Sequence, residues 1–228
     1  MALGACGERA AERVDPAAHD TFFLWAGVPP PDYLREARRV YLLAGEIRAA
    51  DPLRYVRLRA IPQGAPAEIW LTVRVERIDW DDAAYEAILG DLERWQAADN
   101  RLGGLQVDFD ARTRGLGNYA QFLAGLRQRL PHRYGLSITG LMDWSAGGDP
   151  QALAMLAGTV DEMVVQTYQG RETIPGYEAW LASLGRLGIP YRIAIVEGGE
   201  WRAPAGLESD PGFQGYAVFL LPPRRNVP

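Results

Sequence analysis

The residues best suited to chemistry in this chain lie in one short segment, Leu105–Ala111, which reads LQVDFDA. Asp108 and Asp110 stand two positions apart at the end of an apolar, strand-like run, and Gln106 precedes them at the same spacing. Residues i and i+2 of a strand point to one face, so the three polar side chains are predicted to lie together. Because burying an unpaired carboxylate is costly and two carboxylates at close range repel, this pair indicates a functional site.

Eight strand-like segments follow residue 20, and helix-like segments connect most of them. The strand-like segments cover residues 21–25, 40–44, 69–75, 105–109, 136–142, 162–168, 191–196 and 216–221. Repeated βα units predict a mostly parallel sheet, and eight of them predict a compact (β/α)8 TIM-like barrel of the α/β class. An open doubly wound sheet is the alternative fold.

Two connections depart from the regular βα pattern. Segment 55–60 alternates polar and apolar residues and is predicted to pair with segment 69–75, which places a β-hairpin between strands 2 and 3. The last predicted strand ends at Pro222-Pro223 without a closing helix. We expect a flexible tether over residues 1–20, a single barrel domain over 21–223 and a tail over 224–228.

Polar and aromatic residues collect at the C-terminal ends of the predicted strands. The candidates are Trp25, Asp108, Asp110, Asp143, Trp144, Gln166, Tyr168, Glu197 and Trp201. In a barrel these strand ends converge on one mouth, where barrel active sites lie. Carboxylates bond sugar hydroxyls and aromatic faces stack on sugar rings, so a carbohydrate ligand or substrate is predicted. Core packing is the alternative role for the three tryptophans.

The composition argues against several other functions. The formal net charge is −5 and no basic run is longer than two residues, as at Arg224-Arg225, so nucleic acid is not expected as a partner. All 24 basic residues are arginine, which excludes lysine nucleophiles and Schiff bases. Two histidines and one cysteine give no metal-ligand spacing, and no Gly-rich phosphate loop occurs, so no metal or cofactor is expected.

The single cysteine, Cys6, follows Leu3-Gly4-Ala5, a sequence that resembles the lipobox of bacterial lipoproteins. Only five residues precede it, without a charged or apolar signal region, so this interpretation requires a truncated signal peptide. It implies a cell-envelope location with lipid on Cys6 as the only membrane anchor. The alternative is an incidental cysteine in a cytoplasmic protein. No run of ~20 apolar residues predicts a transmembrane helix.

Three segments resemble the chitinase-like glycoside hydrolases of family 18. Segment 104–110 is similar to the DxxDxDxE motif on that family's fourth strand, and segment 118–127 is similar to the helix that follows it. Segment 164–168 is similar to the family's sixth strand, where a tyrosine helps to position the substrate. Residues 20–223 also resemble an uncharacterised bacterial family, domain of unknown function 3142, which implies a barrel fold but no activity.

The resemblance to family 18 implies roles for matching residues. Asp108 matches the third acid of the motif, and Asp110 stands where the family has its catalytic Glu. Asp110 is thereby implied as the general acid, with Gln166 and Tyr168 positioning the substrate. Glu197, after the seventh strand, is an alternative catalytic partner, as in many other barrel glycosidases.

The motif is incomplete, and three hypotheses follow. Gly103 and Gln106 replace its first two acids, and Asp110 reaches about 1.5 Å less far than Glu, a misplacement that can cost ~10²-fold in rate. The first hypothesis is a glycoside hydrolase-like barrel that acts on a polysaccharide or cell-envelope glycan. The second is a noncatalytic glycan-binding barrel, and the third is a scaffolding lipoprotein without a ligand.

Overall fold

The computed structural model describes residues 11–50 and 53–223, which form a closed barrel of eight parallel strands. The strands are β1 (Thr21–Leu24), β2 (Arg39–Ile47), β3 (Glu68–Val75), β4 (Leu102–Asp108), β5 (Gly135–Leu141), β6 (Glu162–Gln166), β7 (Tyr191–Val196) and β8 (Phe213–Phe219). Each strand pairs with the next, and β8 pairs with β1 where Val218 lies opposite Phe22. The predicted barrel is confirmed, and the open sheet is wrong.

Helices fill only some of the connections, which keeps the barrel compact. The α-helices are α1 (Asp82–Ala97), α2 (Leu116–Arg129), α3 (Trp144–Gly147), α4 (Pro150–Ala157) and α5 (Tyr177–Leu181). Single-turn 3-10 helices cover Pro16–Ala18, Asp32–Glu36, Thr113–Gly115, Leu184–Leu187 and Leu207–Ser209. Aspartate side chains cap two of the α-helices: Asp81 accepts from the backbone N–H of Ala84, and Asp149 accepts from that of Ala152, both at 2.8 Å.

The hairpin between strands 2 and 3 forms with a different partner from the one predicted. The short strand Tyr55–Arg57 pairs antiparallel with the end of β2, from Gly45 to Ile47, and not with β3. β1 covers only residues 39–42 of β2, so the end of β2 has an open edge, whereas β3 is bonded by β2 and β4. Gly45 permits this pairing because a Cβ there would lie 2.4 Å from the ring of Tyr55.

The described part of the predicted tether lies against the barrel. Strand Glu12–Arg13 pairs antiparallel with Glu200–Trp201, and Val14 is buried. Backbone hydrogen bonds of 2.9 Å also join Val14 to Gly198 and Gly199. Residues 12–14 are therefore ordered by main-chain pairing, which their polar composition did not reveal. Cys6 and the predicted tail at 224–228 lie outside the described residues.

The lower half of the barrel interior holds a buried ionic network centred on Glu162 of β6. Its carboxylate accepts hydrogen bonds of 2.8 Å from Arg39 Nη1 and from Arg192 Nε. The hydroxyls of Tyr41 and Ser137 also donate to it. Two guanidinium groups compensate for the burial of one carboxylate, and together they fill this end of the barrel.

The Trp70 indole crosses the barrel interior beside two glycines. A Cβ at Gly103 would lie 2.3 Å from Trp70 Nε1, and a Cβ at Gly135 would lie 2.5 Å from the same ring. Gly103 is the position at which the family 18 motif has its first acid. An aspartate at position 103 is incompatible with the Trp70 indole.

Candidate active site

A cavity of about 500 Å³ opens at the C-terminal ends of the strands. It is lined by five predicted site residues: Trp25, Asp108, Asp110, Gln166 and Tyr168. Their side chains come from β1, from β4 and the loop after it, and from β6 and the residues after it. The mouth of the barrel therefore brings these residues together, as expected for C-terminal strand ends.

A hydrogen-bonded chain of three side chains forms the floor of this cavity. Gln106 is fully buried, and its Nε2 donates to Thr139 Oγ1 at 3.2 Å. The Thr139 hydroxyl in turn donates to Asp108 Oδ1 at 2.7 Å. Gln106 thus lies below the cavity and supports Asp108 through Thr139, and it does not line the cavity itself. Among the described residues, Gln106 Oε1 has no hydrogen-bond partner.

The environment of Asp108 favours its protonated form. Burial raises the pKa of this carboxyl group above its usual value, and the nearby Asp110 carboxylate adds to the effect. The Thr139 hydrogen bond and the Arg74 charge lower the pKa in part. Asp108 therefore has the properties of a general acid.

Asp110 lies on the exposed lip of the cavity, at the start of a loop that other side chains hold in place. Trp144 Nε1 donates to the carbonyl oxygen of Ala111 at 2.9 Å, and Thr113 Oγ1 donates to Asp143 Oδ2 at 2.6 Å. Trp144 is fully buried. Neither Asp143 nor Trp144, which were predicted to contact substrate, lines the cavity: both pin the loop that carries Asp110.

Tyr168 and Gln166 form one wall of the cavity. The Tyr168 ring lies 5.0 Å from the ring of Phe219, between centroids, and Gln166 Nε2 donates to the carbonyl oxygen of Tyr168 at 2.8 Å. Burial raises the pKa of Tyr168 well above its usual value, and the charges of Asp108 and Asp110 raise it further. The hydroxyl therefore stays protonated, and it can donate a hydrogen bond to a ligand.

Trp25 forms another part of the cavity wall, together with a cation. The Arg74 guanidinium carbon lies 5.6 Å from the centroid of the Trp25 ring, and the Phe219 ring lies 5.5 Å from it. Arg74 and Phe219 therefore flank Trp25. The Trp25 ring holds the Arg74 guanidinium in place by a cation–π contact. Because Arg74 and Phe219 lie against it, this ring is less open to a sugar than we predicted.

Glu197 and Trp201 lie away from this cavity. Glu197 Oε2 accepts from the backbone N–H of Leu221 at 2.9 Å, and its side chain lines a second cavity of about 750 Å³ with Arg171 and Glu172. The Trp201 ring stacks on Tyr177 at 4.5 Å between centroids. The structure therefore does not bring Glu197 and Trp201, both predicted site residues, to the cavity that Asp110 lines.

The cavity residues that the sequence did not single out include Arg74, Arg112, Thr139 and Phe219. Arg74 lies opposite Asp108 in the β3–β4 register. Thr139 is two residues after Ser137, which lies opposite Gln106. The registers between neighbouring strands place Arg74 and Thr139 at the cavity, and a single sequence does not reveal those registers. Arg112, two residues after Asp110, was open to prediction from its position in the loop.

Within residues 11–50 and 53–223, no group of three or more His, Cys, Asp or Glu side chains is placed to hold a metal ion. In the same part of the chain, no helix combines the length and apolar character needed to span a bilayer.

Solved structures similar to this chain are chitinase-like barrels. The Bacillus cereus spore cortex-lytic enzyme SleL superposes with a TM-score of 0.53 at 15% identity, over 77% of this chain and 49% of its own. The chitinase domain of the Clostridium difficile spore coat protein CotE superposes with a TM-score of 0.51 at 14% identity, over 86% of this chain and 68% of its own. Tamarind chitinase like lectin superposes with a TM-score of 0.51 at 11% identity, over 88% of this chain and 94% of its own. At these identities the likeness shows the fold, and this chain spans about half the length of SleL.

Sequence comparison is less informative about activity. No curated protein matches the chain significantly. Residues 67–194, more than half of the chain, match a family model, and they include Asp108, Asp110, Thr139 and Tyr168. The chain therefore belongs to the family described as Domain of unknown function (DUF3142).

Proposed function

We propose that this protein hydrolyses a glycosidic bond in a polysaccharide or cell-envelope glycan bound at the barrel mouth. One observation carries the proposal: two carboxyl groups in different environments, Asp108 and Asp110, line one cavity with Tyr168. Paired carboxyl groups of unlike environment are the usual equipment of glycosidases. The names of SleL and of the CotE chitinase domain support the same class of reaction.

In this proposal Asp108 donates the proton to the leaving oxygen, the role that the sequence had suggested for Asp110. The reason is burial, which raises the pKa of Asp108, whereas Asp110 lies exposed on the lip. Asp110 stabilises the positive charge that develops at the sugar ring, and Tyr168 and Gln166 orient the substrate. Water attacks the anomeric carbon as the glycosidic C–O bond breaks, and its proton returns to the Asp108 carboxylate.

The test compares the hydrolytic activity of three variants on substrates whose leaving groups differ. The purified protein is incubated with chitin, peptidoglycan, exopolysaccharide and aryl glycosides, and products are followed by mass spectrometry. Asp108→Asn is expected to lose activity on poor leaving groups but keep it on dinitrophenyl glycosides, which need no acid. Asp110→Asn loses both activities, and Asp99→Asn, an exposed aspartate distant from the cavity, loses neither. Absence of turnover on every substrate contradicts the proposal.

A noncatalytic glycan-binding protein is the second candidate, and the aspartate at position 110 favours it. The tamarind lectin shares the fold, and so does a protein described as a xylanase-alpha-amylase inhibitor. Calorimetric binding without product formation supports this candidate. Hydrolysis that appears in Asp110→Glu then indicates that the shorter side chain is what prevents turnover.

A cell-envelope location with lipid on Cys6 is a further part of the proposal. It rests on the Leu3-Gly4-Ala5-Cys6 sequence alone. Cells that express the full gene with its natural upstream region are labelled with an alkyne fatty acid. Label that is present in the parent and lost in Cys6→Ser supports the anchor, and an unlabelled parent contradicts it.

A further inference from the structure

We propose that the cavity takes a glycan that carries a carboxylate, such as an oligouronide, and that Arg74 and Arg112 bind this carboxylate. The inference rests on the proposed function, because it names a ligand class for the same cavity. It adds a feature that the paired aspartates do not explain, namely two cations in the cavity wall.

Arg74 is held at the cavity without a carboxylate partner. It lies at the end of β3, and the Trp25 ring is 5.6 Å from its guanidinium carbon. Its charge acts on Asp108, its neighbour in the β3–β4 register. The Arg74 side chain makes no hydrogen bond or ion pair within the described chain, so the five N–H donors of its guanidinium are available to a ligand.

Arg112 is the second cation and lies on the loop that follows Asp110. Its side chain is exposed, lines the same cavity and has no ion-pair partner among the residues that the structure describes. Several arginines elsewhere on the barrel are paired with carboxylates, among them Arg38, Arg39, Arg57, Arg94 and Arg127. Arg74 and Arg112 differ from these because a ligand, and not a protein side chain, completes their charge.

Three acids also line the cavity: Glu76, Asp108 and Asp110. Glu76 accepts a 2.8 Å hydrogen bond from the backbone N–H of Ala49, and Asp108 is held in an environment that favours its neutral form. The planar guanidinium fork matches a carboxylate with two parallel hydrogen bonds, which a hydroxyl does not offer. A neutral glycan leaves both cations without a partner, whereas a carboxylated one pairs them.

The experiment measures calorimetric affinities for uronic acid trimers (glucuronate, galacturonate and mannuronate) and for their carboxyl-reduced, neutral counterparts. We expect at least one acidic trimer to bind about tenfold more tightly than its reduced form, the effect of one charge-assisted hydrogen bond. Arg74→Gln and Arg112→Gln are expected to remove that preference. Arg114→Gln, an exposed arginine two residues from Arg112 that does not line the cavity, keeps it.

The outcomes separate this inference from the proposed function. Equal affinity for acidic and reduced trimers, or a preference that survives both cavity variants, overturns carboxylate recognition and leaves glycan binding in place. If the trimers, the chitin oligomers and the peptidoglycan fragments all fail to bind, both proposals are overturned. Loss of the acidic preference on raising the salt concentration from 0.05 to 0.5 M supports the cationic wall, because salt screens exposed charges.

Discussion

Thr139 donates a 2.7 Å hydrogen bond to Asp108 and accepts one of 3.2 Å from Gln106, so one hydroxyl on β5 joins the cavity floor to the acid above it. Thr139→Val removes both bonds and leaves two polar groups unpaired. We expect the free energy of unfolding to fall by about 1–3 kcal/mol. Thr139→Ser, which keeps the hydroxyl, is expected to stay close to the parent in chemical denaturation.

The same substitution moves the titration of Asp108. A hydrogen bond donated to a carboxylate favours its charged form, so removing it raises the pKa of Asp108 beyond the increase that burial causes. Carbon-13 NMR titration of the Asp108 carboxyl carbon measures this directly. An unchanged or lower pKa in Thr139→Val contradicts the role assigned to Thr139.

Asp108 also makes stability depend on pH. Its pKa is raised in the folded state, so the folded protein binds this proton more tightly than the unfolded chain. Between the unfolded and the folded pKa, stability therefore falls as pH rises. Asp108→Asn removes the penalty: we expect it to unfold at higher denaturant concentration than the parent at pH 7, with the difference shrinking toward pH 4.

The control for this prediction is Glu86→Gln, which removes one exposed carboxylate on α1, outside the cavity. Subtracting its effect corrects for the change in net charge. An Asp108→Asn protein that is less stable than the parent at pH 7, after this correction, shows that the ionised carboxylate stabilises the fold and contradicts the environment described for Asp108.

Gly103 is required by Trp70, because a Cβ at this position would lie 2.3 Å from Trp70 Nε1. Gly103→Ala is expected to lower the free energy of unfolding by about 1–3 kcal/mol, as overpacking does. Adding Trp70→Phe to Gly103→Ala is expected to recover part of the loss, which a double-mutant cycle reports as a coupling energy. Gly117→Ala, with open space around it in α2, serves as the control and is expected to gain up to about 1 kcal/mol.

Trp144 orders the Asp110 loop through its bond to the Ala111 carbonyl oxygen. Trp144→Phe leaves this oxygen without its donor, and we expect a loss of about 1–3 kcal/mol in thermal or chemical unfolding. Glycan affinity is expected to fall with it, although Trp144 does not line the cavity. Trp180→Phe, at a tryptophan that is 39% exposed, is the control and stays within about 0.5 kcal/mol of the parent.

The barrel and the position of its acids were predictable from the sequence. Apolar strand-like runs that alternate with helical segments specify a parallel sheet, and all eight predicted strands overlap those of the structure. The two-residue period of a strand placed Gln106 on the face of Asp108. Local periodicity is enough for both results, because neither depends on which strands are neighbours.

The rest of the site depends on tertiary contacts. Thr139 and Arg74 reach Asp108 through the registers of β5 and β3, which a single strand's pattern does not specify. Trp144 and Glu197 follow strands as predicted, but each turns away from the mouth: Trp144 into the core, and Glu197 toward the backbone of Leu221. Position after a strand does not determine which way a side chain points.

The most direct test is a crystal structure of Asp110→Asn soaked with the tightest-binding oligosaccharide. We predict a sugar residue in the cavity between Tyr168 and Trp25, with a glycosidic oxygen within hydrogen-bond distance of the Asp108 carboxyl group. An oligosaccharide bound instead in the second cavity, beside Glu197 and Arg171, would contradict the assignment of the active site.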